Sequence, residues 1–306
     1  MSLELRGIVK SFGDFSLGPI NLKIESGERV AVVGPSGSGK STLLRIIAGL
    51  TPPDGGAVFI NGTDATKTEP WRRGVGVVFQ TPALFPSLTV LENVAEPLLS
   101  RGVSKGEAYG RARDVLVRLG LGDLVHRYPA QLSRGQQQRV SLARALVLEP
   151  QILLFDEPLT ALDPPLRGEV LPYIYEASRG RTVLYVTHDF EEATFIARRV
   201  VVIMNGRVVA DGDSVEIFEN PPSSAVAEFL GYSNKLPADC GHLYFRPWDV
   251  RPGSGYRGRV IAVWYKAGKY EVLARVSDSY IRLHWPHKPP TDIIEFDIAR
   301  GKCFRD

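Results

Sequence analysis

Gly34-Pro35-Ser36-Gly37-Ser38-Gly39-Lys40-Ser41-Thr42 is the stretch that decides the fold. It fits Gly-x-x-x-x-Gly-Lys-Ser/Thr, a loop whose glycines let successive backbone N–H groups turn inward around an anion. Its context fits as well. Arg29 to Val33 is an apolar run that reads as a buried strand, and Leu43 to Leu50 reads as a helix. The start of that helix adds partial positive charge where phosphates would sit. Lys40 is placed to reach β- and γ-phosphates, and the Ser41 hydroxyl to ligate Mg²⁺. The loop therefore predicts binding of a nucleoside triphosphate.

Around this loop the chain reads as alternating strands and helices. Leu3 to Val9 and Ile20 to Ile24 alternate like strands, Ala57 to Ile60 is closed by the turn Asn61-Gly62, and Gly74 to Phe79 is a strand ending at Gln80. Helical spacing runs from Leu91 to about Val147, with one helix ending at Gly120 and another spanning Gln136 to Leu148. Gln151 to Phe155 and Thr182 to Thr187 are strands, Pro165 to Ser178 and Phe190 to Ala197 helices, and Asn205-Gly206 turns a hairpin. Strands separated by helices predict an α/β sheet with parallel strands. After Gly231 the pattern changes. Ser233 to Gly241 has no periodicity and reads as a linker, and beyond it lie only short β-like runs between Pro and Gly, which predict a small barrel or sandwich.

Composition sets outer bounds. The 306 residues suffice for one large or two ordinary domains, with 44% hydrophobic and 23% charged residues. No apolar run approaches the roughly 20 residues that span a bilayer, and no secretory signal is expected at the start. Two cysteines, Cys240 and Cys303, form no disulfide framework by count, and a reducing cytoplasm is the simplest reading. Residues 232–306 hold 13 Lys+Arg against 8 Asp+Glu, an excess of +5 that leaves −2 for the rest of a chain whose total is +3.

Further motifs stand downstream. The strand Gln151 to Phe155 ends in Asp156 and Glu157. Asp156 can join the Mg²⁺ shell, and Glu157 can polarise an attacking water. Leu132-Ser133-Arg134-Gly135-Gln136, followed by Gln137-Gln138-Arg139, closely resembles the signature sequence of ABC-transporter nucleotide-binding subunits. Gln80, Ala161-Leu162-Asp163 and His188 stand in the family's order, and Phe12 stands where members stack an aromatic on adenine, with Phe15 the nearby rival. Arg134 departs from the family by replacing the first signature glycine, while Ser133 and Gly135 are kept.

The resemblance covers residues 1 to about 231 and implies a P-loop NTPase: a RecA-like core, an antiparallel β part and a helical subdomain at about 82–147. A small C-terminal β-barrel at 232–306 is implied by Arg246-Pro247-Trp248-Asp249-Val250, which resembles the opening of OB-like regulatory domains in importer ATPases. Two copies would close head to tail around ATP and Mg²⁺, so that the loop Gly34 to Thr42 of one faces Ser133, Gly135 and Gln136 of the other, beside Asp163. Glu157 would be the general base, His188 the γ-phosphate sensor, and Gln80 the catalytic link between Mg²⁺, the attacking water and the permease; Ser41, Gln80 and Asp156 would be the metal residues. Thr81 to Val94 looks like the segment of importers that receives a permease's coupling helix, with Phe85 and Leu88 as candidate contacts. The implied setting is the cytoplasmic face of a membrane, peripheral to a permease that works with a solute-binding protein. The implied solute is an inorganic oxyanion (sulfate, molybdate or tungstate), with sugar, iron or polyamine as alternatives. A soluble ATPase acting on nucleic acid or ribosomes fits less well: no heptad run lies between Gly49 and Leu132, and there is only one phosphate loop. No nucleic-acid partner is expected.

Overall fold

The computed structural model describes residues 1–289 and 292–305. They divide into two compact units, Met1–Ser214 and Val215–Asp306. The first opens with a hairpin, β1 (Leu3–Phe12) and β2 (Phe15–Ile24), followed by β3 (Arg29–Val33), the phosphate loop and α1 (Lys40–Ile47). β4 (Gly55–Ile60) and the short β5 (Thr63–Asp64) complete an antiparallel sheet in the order β2-β1-β4-β5. β6 (Val75–Val78) leads into α2 (Val90–Leu99), α3 (Lys105–Arg118) and α4 (Arg134–Leu146), the expected helical segment. β7 (Ile152–Asp156), α5 (Pro164–Ala177), β8 (Thr182–Val186), α6 (Phe190–Ile196), β9 (Arg199–Met204) and β10 (Arg207–Asp213) follow.

The second sheet has the order β10-β9-β3-β8-β7-β6. β9, β3, β8, β7 and β6 run parallel, and only β10 is antiparallel, folded back through the Asn205-Gly206 turn. β7 and β8 are buried at every position, which is why both read as continuous apolar runs rather than alternating ones. One core joins both sheets to α1. Leu5, Ile8 and Ile20 come from the antiparallel sheet, Val32, Leu154 and Leu184 from the parallel one, and Leu43, Leu44, Ile46 and Ile47 from the helix. At about 1.5–3 kcal/mol for each buried aliphatic side chain, those four residues of α1 anchor the helix that carries Lys40 and Ser41. Local signals set helix starts. Thr89 and Glu92 form a reciprocal capping box on α2, and Ser133 and Gln136 do the same on α4.

The second unit begins inside α7 (Ser214–Glu219), at Val215, and continues with α8 (Ser224–Phe229), earlier than the boundary expected after residue 231. The reason is Arg246, 2% exposed, whose guanidinium lies 3.5 Å from the Phe218 ring centre and 4.1 Å from that of Tyr232. It also donates to the Phe218 carbonyl and faces Glu219 at 3.7 Å. The segment 215–232 therefore belongs with the β strands that follow. β11 (Asn234–Ala238), β12 (Gly241–Phe245) and β17 (Lys302–Phe304) form one antiparallel sheet. β13 (Val250–Lys266), β14 (Lys269–Val276), β15 (Ser279–Trp285) and β16 (Ile293–Ile298) form another, in the order β15-β14-β13-β16.

Two expectations change here. The stretch read as a linker contains β11, with Asn234 and Leu236 buried and Pro237 tolerated because the strand lies at a sheet edge. Asn234 disguised the strand: it occupies a core-side position but satisfies its amide on the Arg282 backbone, donating to the carbonyl and accepting from N–H, both at 2.7 Å. The two cysteines are also not separate thiols. The β12–β17 pairing sets Cys303 opposite Leu243 and brings Cys240 and Cys303 together as a disulfide, with Cα atoms 6.1 Å apart although 63 residues separate them in sequence.

Candidate nucleotide site

The phosphate loop joins β3 to α1 under tight packing. A Cβ on Gly34, whose φ is 152°, would lie 2.0 Å from the Ile203 carbonyl oxygen. At Gly39, φ 101°, it would lie 2.8 Å from Leu17 Cδ1 and 3.0 Å from the Phe15 ring. Both positions need glycine for conformation and for space. Lys40 is 4% exposed, and its ammonium donates to the Gly34 and Pro35 carbonyls, each at 2.8 Å. Burial pulls its pKa below the usual lysine value, and the charges of Glu157 and Asp156 oppose that shift. Ser38 is buried and links the loop to the β9–β10 turn through the Gly206 N–H, 3.2 Å from its carbonyl oxygen.

Ser41 Oγ donates to Asp156 Oδ1 at 2.7 Å, joining the loop to the end of β7. Asp156 is 3% exposed, and burial raises its carboxyl above the usual range; the Ser41 hydrogen bond opposes this, and the adjacent charge of Glu157 adds to it. Glu157 follows with φ 46°, left-handed for a residue with a side chain, and its N–H is held by the Val186 carbonyl at 2.9 Å. Such a conformation costs roughly 1–3 kcal/mol and concentrates at working sites.

The Glu157 carboxylate is a point of convergence. Gln80 Nε2 and Thr160 Oγ1 both donate to Oε2 at 3.2 Å, and His188 Nδ1 lies 3.2 Å from the same oxygen. Sheet order explains the meeting. β3, β8, β7 and β6 are parallel neighbours, so the segments leaving their C-terminal ends, carrying the loop, His188, Glu157 and Gln80, open side by side. A cavity of about 530 Å³ lies there, lined by Phe15, Ser36, Gly37, Gly39, Lys40, Ser41, Thr42, Gln80, Glu157, Thr160 and His188.

Most of the candidates read from the sequence thus meet in one place, and the exceptions are informative. Phe12 is half exposed and does not line this cavity, whereas its hairpin partner Phe15 does. Thr160 was not anticipated; its only signal is a hydroxyl three residues after Glu157. Ser133, Gly135, Gln136 and Asp163 do not line the cavity. Ser133 caps α4, and Gln136 accepts from the Ser133 N–H at 2.8 Å. A Cβ on Gly135 would sit 3.2 Å from Leu162, beside Asp163, which caps α5 by accepting from the Leu166 N–H at 3.0 Å. The signature and the Asp163 loop therefore form a second surface patch, in which Arg134 is exposed.

Comparison with known proteins agrees with this architecture. The ABC transporter family matches residues 17–160. The Fe(3+) ions import ATP-binding protein FbpC of Brucella abortus (strain 2308) is 45% identical over 241 residues, covering 78% of this chain and 68% of that protein. The sulfate/thiosulfate import ATP-binding protein CysA of Synechocystis sp. is 41% identical over 284 residues, covering 92% and 79%. Among solved structures, the ATP-binding cassette MJ0796, in a dimeric post-hydrolysis state bound to ADP and Pi, superposes with a TM-score of 0.65 at 36% identity, covering 69% of this chain and 98% of that one. With that identity over that share of its relatives, and with the phosphate loop and its carboxylates assembled as described, the chain belongs to the ABC transporter family of ATPases.

Proposed function

We propose that this chain is the ATP-hydrolysing subunit of an ABC importer, acting as a head-to-tail pair on the cytoplasmic face of a membrane. The observation that carries the reading is the convergence of Gln80, Thr160 and His188 on one oxygen of Glu157, beside Lys40 and the Ser41–Asp156 pair. In the proposed reaction, the N–H groups of the loop and Lys40 hold the triphosphate, Lys40 exchanging its carbonyl partners for phosphate oxygens. Glu157 orients the attacking water and accepts its proton, and His188 contacts the γ-phosphate. Catalysis is then mainly positioning and charge neutralisation. Phe15 is the better-placed aromatic for the adenine, with Phe12 the other candidate.

The hydroxyl of Ser41, the carboxylate of Asp156 and the amide of Gln80 are hard oxygen donors of the kind Mg²⁺ takes, and the first two already lie 2.7 Å apart. Among the described residues no group of three or more His, Cys, Asp or Glu could hold a metal alone, as suits an ion that draws its remaining ligands from phosphate and water. These three residues would hold Mg²⁺, which when bound neutralises phosphate charge.

Ser133, Gly135, Gln136 and Asp163 fit a role in completing the partner copy's site, since they lie outside this chain's own cavity. The MJ0796 cassette, described as dimeric, supports that reading. No helix among the described residues is long and apolar enough to cross a membrane, so the transport path would be a separate permease. Phe85 is 44% exposed, with the Arg144 guanidinium 5.5 Å from its ring, and it is a candidate contact for that partner together with Leu88. For the solute, an inorganic oxyanion such as sulfate leads, supported by the sulfate/thiosulfate relatives. Ferric ion is the second reading, because relatives of comparable identity are named for Fe(3+) import. The test is ATP hydrolysis by the complex reconstituted with its permease and solute-binding protein. Stimulation by sulfate, and not by ferric ion, supports the first reading; the reverse selects the second; stimulation by neither overturns both.

A further inference from the structure

The C-terminal unit carries a second cavity, of about 450 Å³, lined only by residues of that unit. Strand alternation builds it. In β14, Val272, Ala274 and Val276 face the core, so Lys269, Glu271 and Leu273 face the other way. Cross-strand register sets Lys266 opposite Lys269, His284 opposite Glu271 and Arg282 opposite Leu273, all on that outer face. Pro247 and Trp248, with Gly231 and Ser233, close the cavity from another side.

Its chemistry is unbalanced in two ways. Lys266, Lys269 and Arg282 supply three cations against one carboxylate, Glu271. Glu271 is already engaged by Lys266 Nζ at 3.7 Å and His284 Nε2 at 3.9 Å. Among the described residues no carboxylate pairs with Lys269 or Arg282. Among the described residues, the buried His284 Nδ1 has no hydrogen-bond partner. Beside it, 5.8 Å from the His284 ring, the Trp248 indole remains 48% exposed.

We infer that this cavity is a binding site for a small planar anion, an aromatic or heteroaromatic ring bearing a carboxylate or phosphate. Arg282 and Lys269 hold the anionic group, and the ring lies against Trp248. The volume lies within the roughly 300–1,000 Å³ of small-molecule sites. A tetrahedral inorganic anion would leave most of that space to water and would make no use of the indole.

The test is calorimetric titration of the full-length chain, with a non-hydrolysable ATP analogue in excess to hold the phosphate loop. Quinoline-2-carboxylate and 1-naphthyl phosphate are the probes that separate the two anionic groups, and sodium sulfate is the ring-free probe. The expected result is one-to-one binding of at least one ring-bearing anion, weakened at least tenfold in Arg282→Gln and in Trp248→Leu, with sulfate bound far more weakly. Lys269→Gln, at an exposed hairpin end, reads the charge contribution without disturbing the core, and a severalfold loss is expected there. No binding of either ring-bearing probe at millimolar concentration overturns the inference, as does binding that survives all three substitutions. Sulfate binding of equal strength that ignores Trp248→Leu also overturns it, and reassigns the cavity to inorganic anions. Tighter binding of a single-stranded oligothymidylate than of either ring-bearing probe overturns it in favour of nucleic acid.

Discussion

Glu157→Gln separates the chemical step from everything else the site does. The substitution keeps a side-chain oxygen where Gln80 Nε2 and Thr160 Oγ1 donate, so the local hydrogen bonding can persist. What disappears is the negative charge and the ability to take a proton. A positioned general base contributes about 10²–10⁴-fold, which at about 1.36 kcal/mol per decade is ~2.7–5.4 kcal/mol of barrier. Stability changes little, because the Glu157 charge disfavours ionised Asp156 but favours the buried Lys40 ammonium. Lys40, which holds the phosphates in the proposed reaction, keeps its carbonyl contacts. The expected outcome is steady-state phosphate release lowered at least a hundredfold, ATP affinity within a few-fold of the parent, a Tm little changed, and a dimer that persists with ATP in light scattering. Turnover within about threefold of the parent would refute the assignment of Glu157. Equal loss of binding and turnover would show that the carboxylate serves binding instead.

Lys40→Ala should weaken ATP binding at least tenfold in an equilibrium titration, and it leaves the Gly34 and Pro35 carbonyls without the ammonium donor; an unchanged affinity contradicts the role given to this lysine. Asp156→Asn should raise stability while abolishing efficient turnover. The raised carboxyl pKa means that the folded state disfavours the ionised form; the cost is present above the folded pKa and fades as pH falls toward 3.8, the ordinary value. The variant's advantage should therefore shrink in acid, and a variant less stable at pH 7 refutes the reasoning. Arg246→Ala removes a buried cation held between Phe218 and Tyr232 and leaves Glu219 without it. Truncating a large buried side chain costs about 2–5 kcal/mol, so hydrogen exchange in residues 215–289 and 292–305 should accelerate more than tenfold; unchanged protection there removes Arg246 from the core of that unit.

Much of this protein is written in short-range pattern. The phosphate loop, the apolar strands on either side of it, the paired carboxylates after Phe155 and the signature stretch at Leu132 to Gln136 are contiguous, and contiguous chemistry fixes local backbone shape. Helical spacing alone put the helix starts at Leu91 and Gln136, a residue or two past those that the capping boxes of Thr89 and Ser133 set. The β11 strand was not legible, because Asn234 and Pro237 violate alternation, and only the distant Arg282 backbone and the edge position make them acceptable.

Tertiary structure decided the remainder. Gln80, Thr160 and His188 lie 77, 3 and 31 residues from Glu157, yet meet on one of its oxygens. No periodicity encodes that meeting; it follows from sheet order, which aligns the ends of four parallel strands. The choice of Phe15 over Phe12 as a wall of the cavity, the pairing of Cys240 with Cys303 and the inclusion of residues 215–231 in the C-terminal unit have the same origin. Local propensity acts over a few residues along the chain, whereas contacts between distant segments exist only once the whole core has packed.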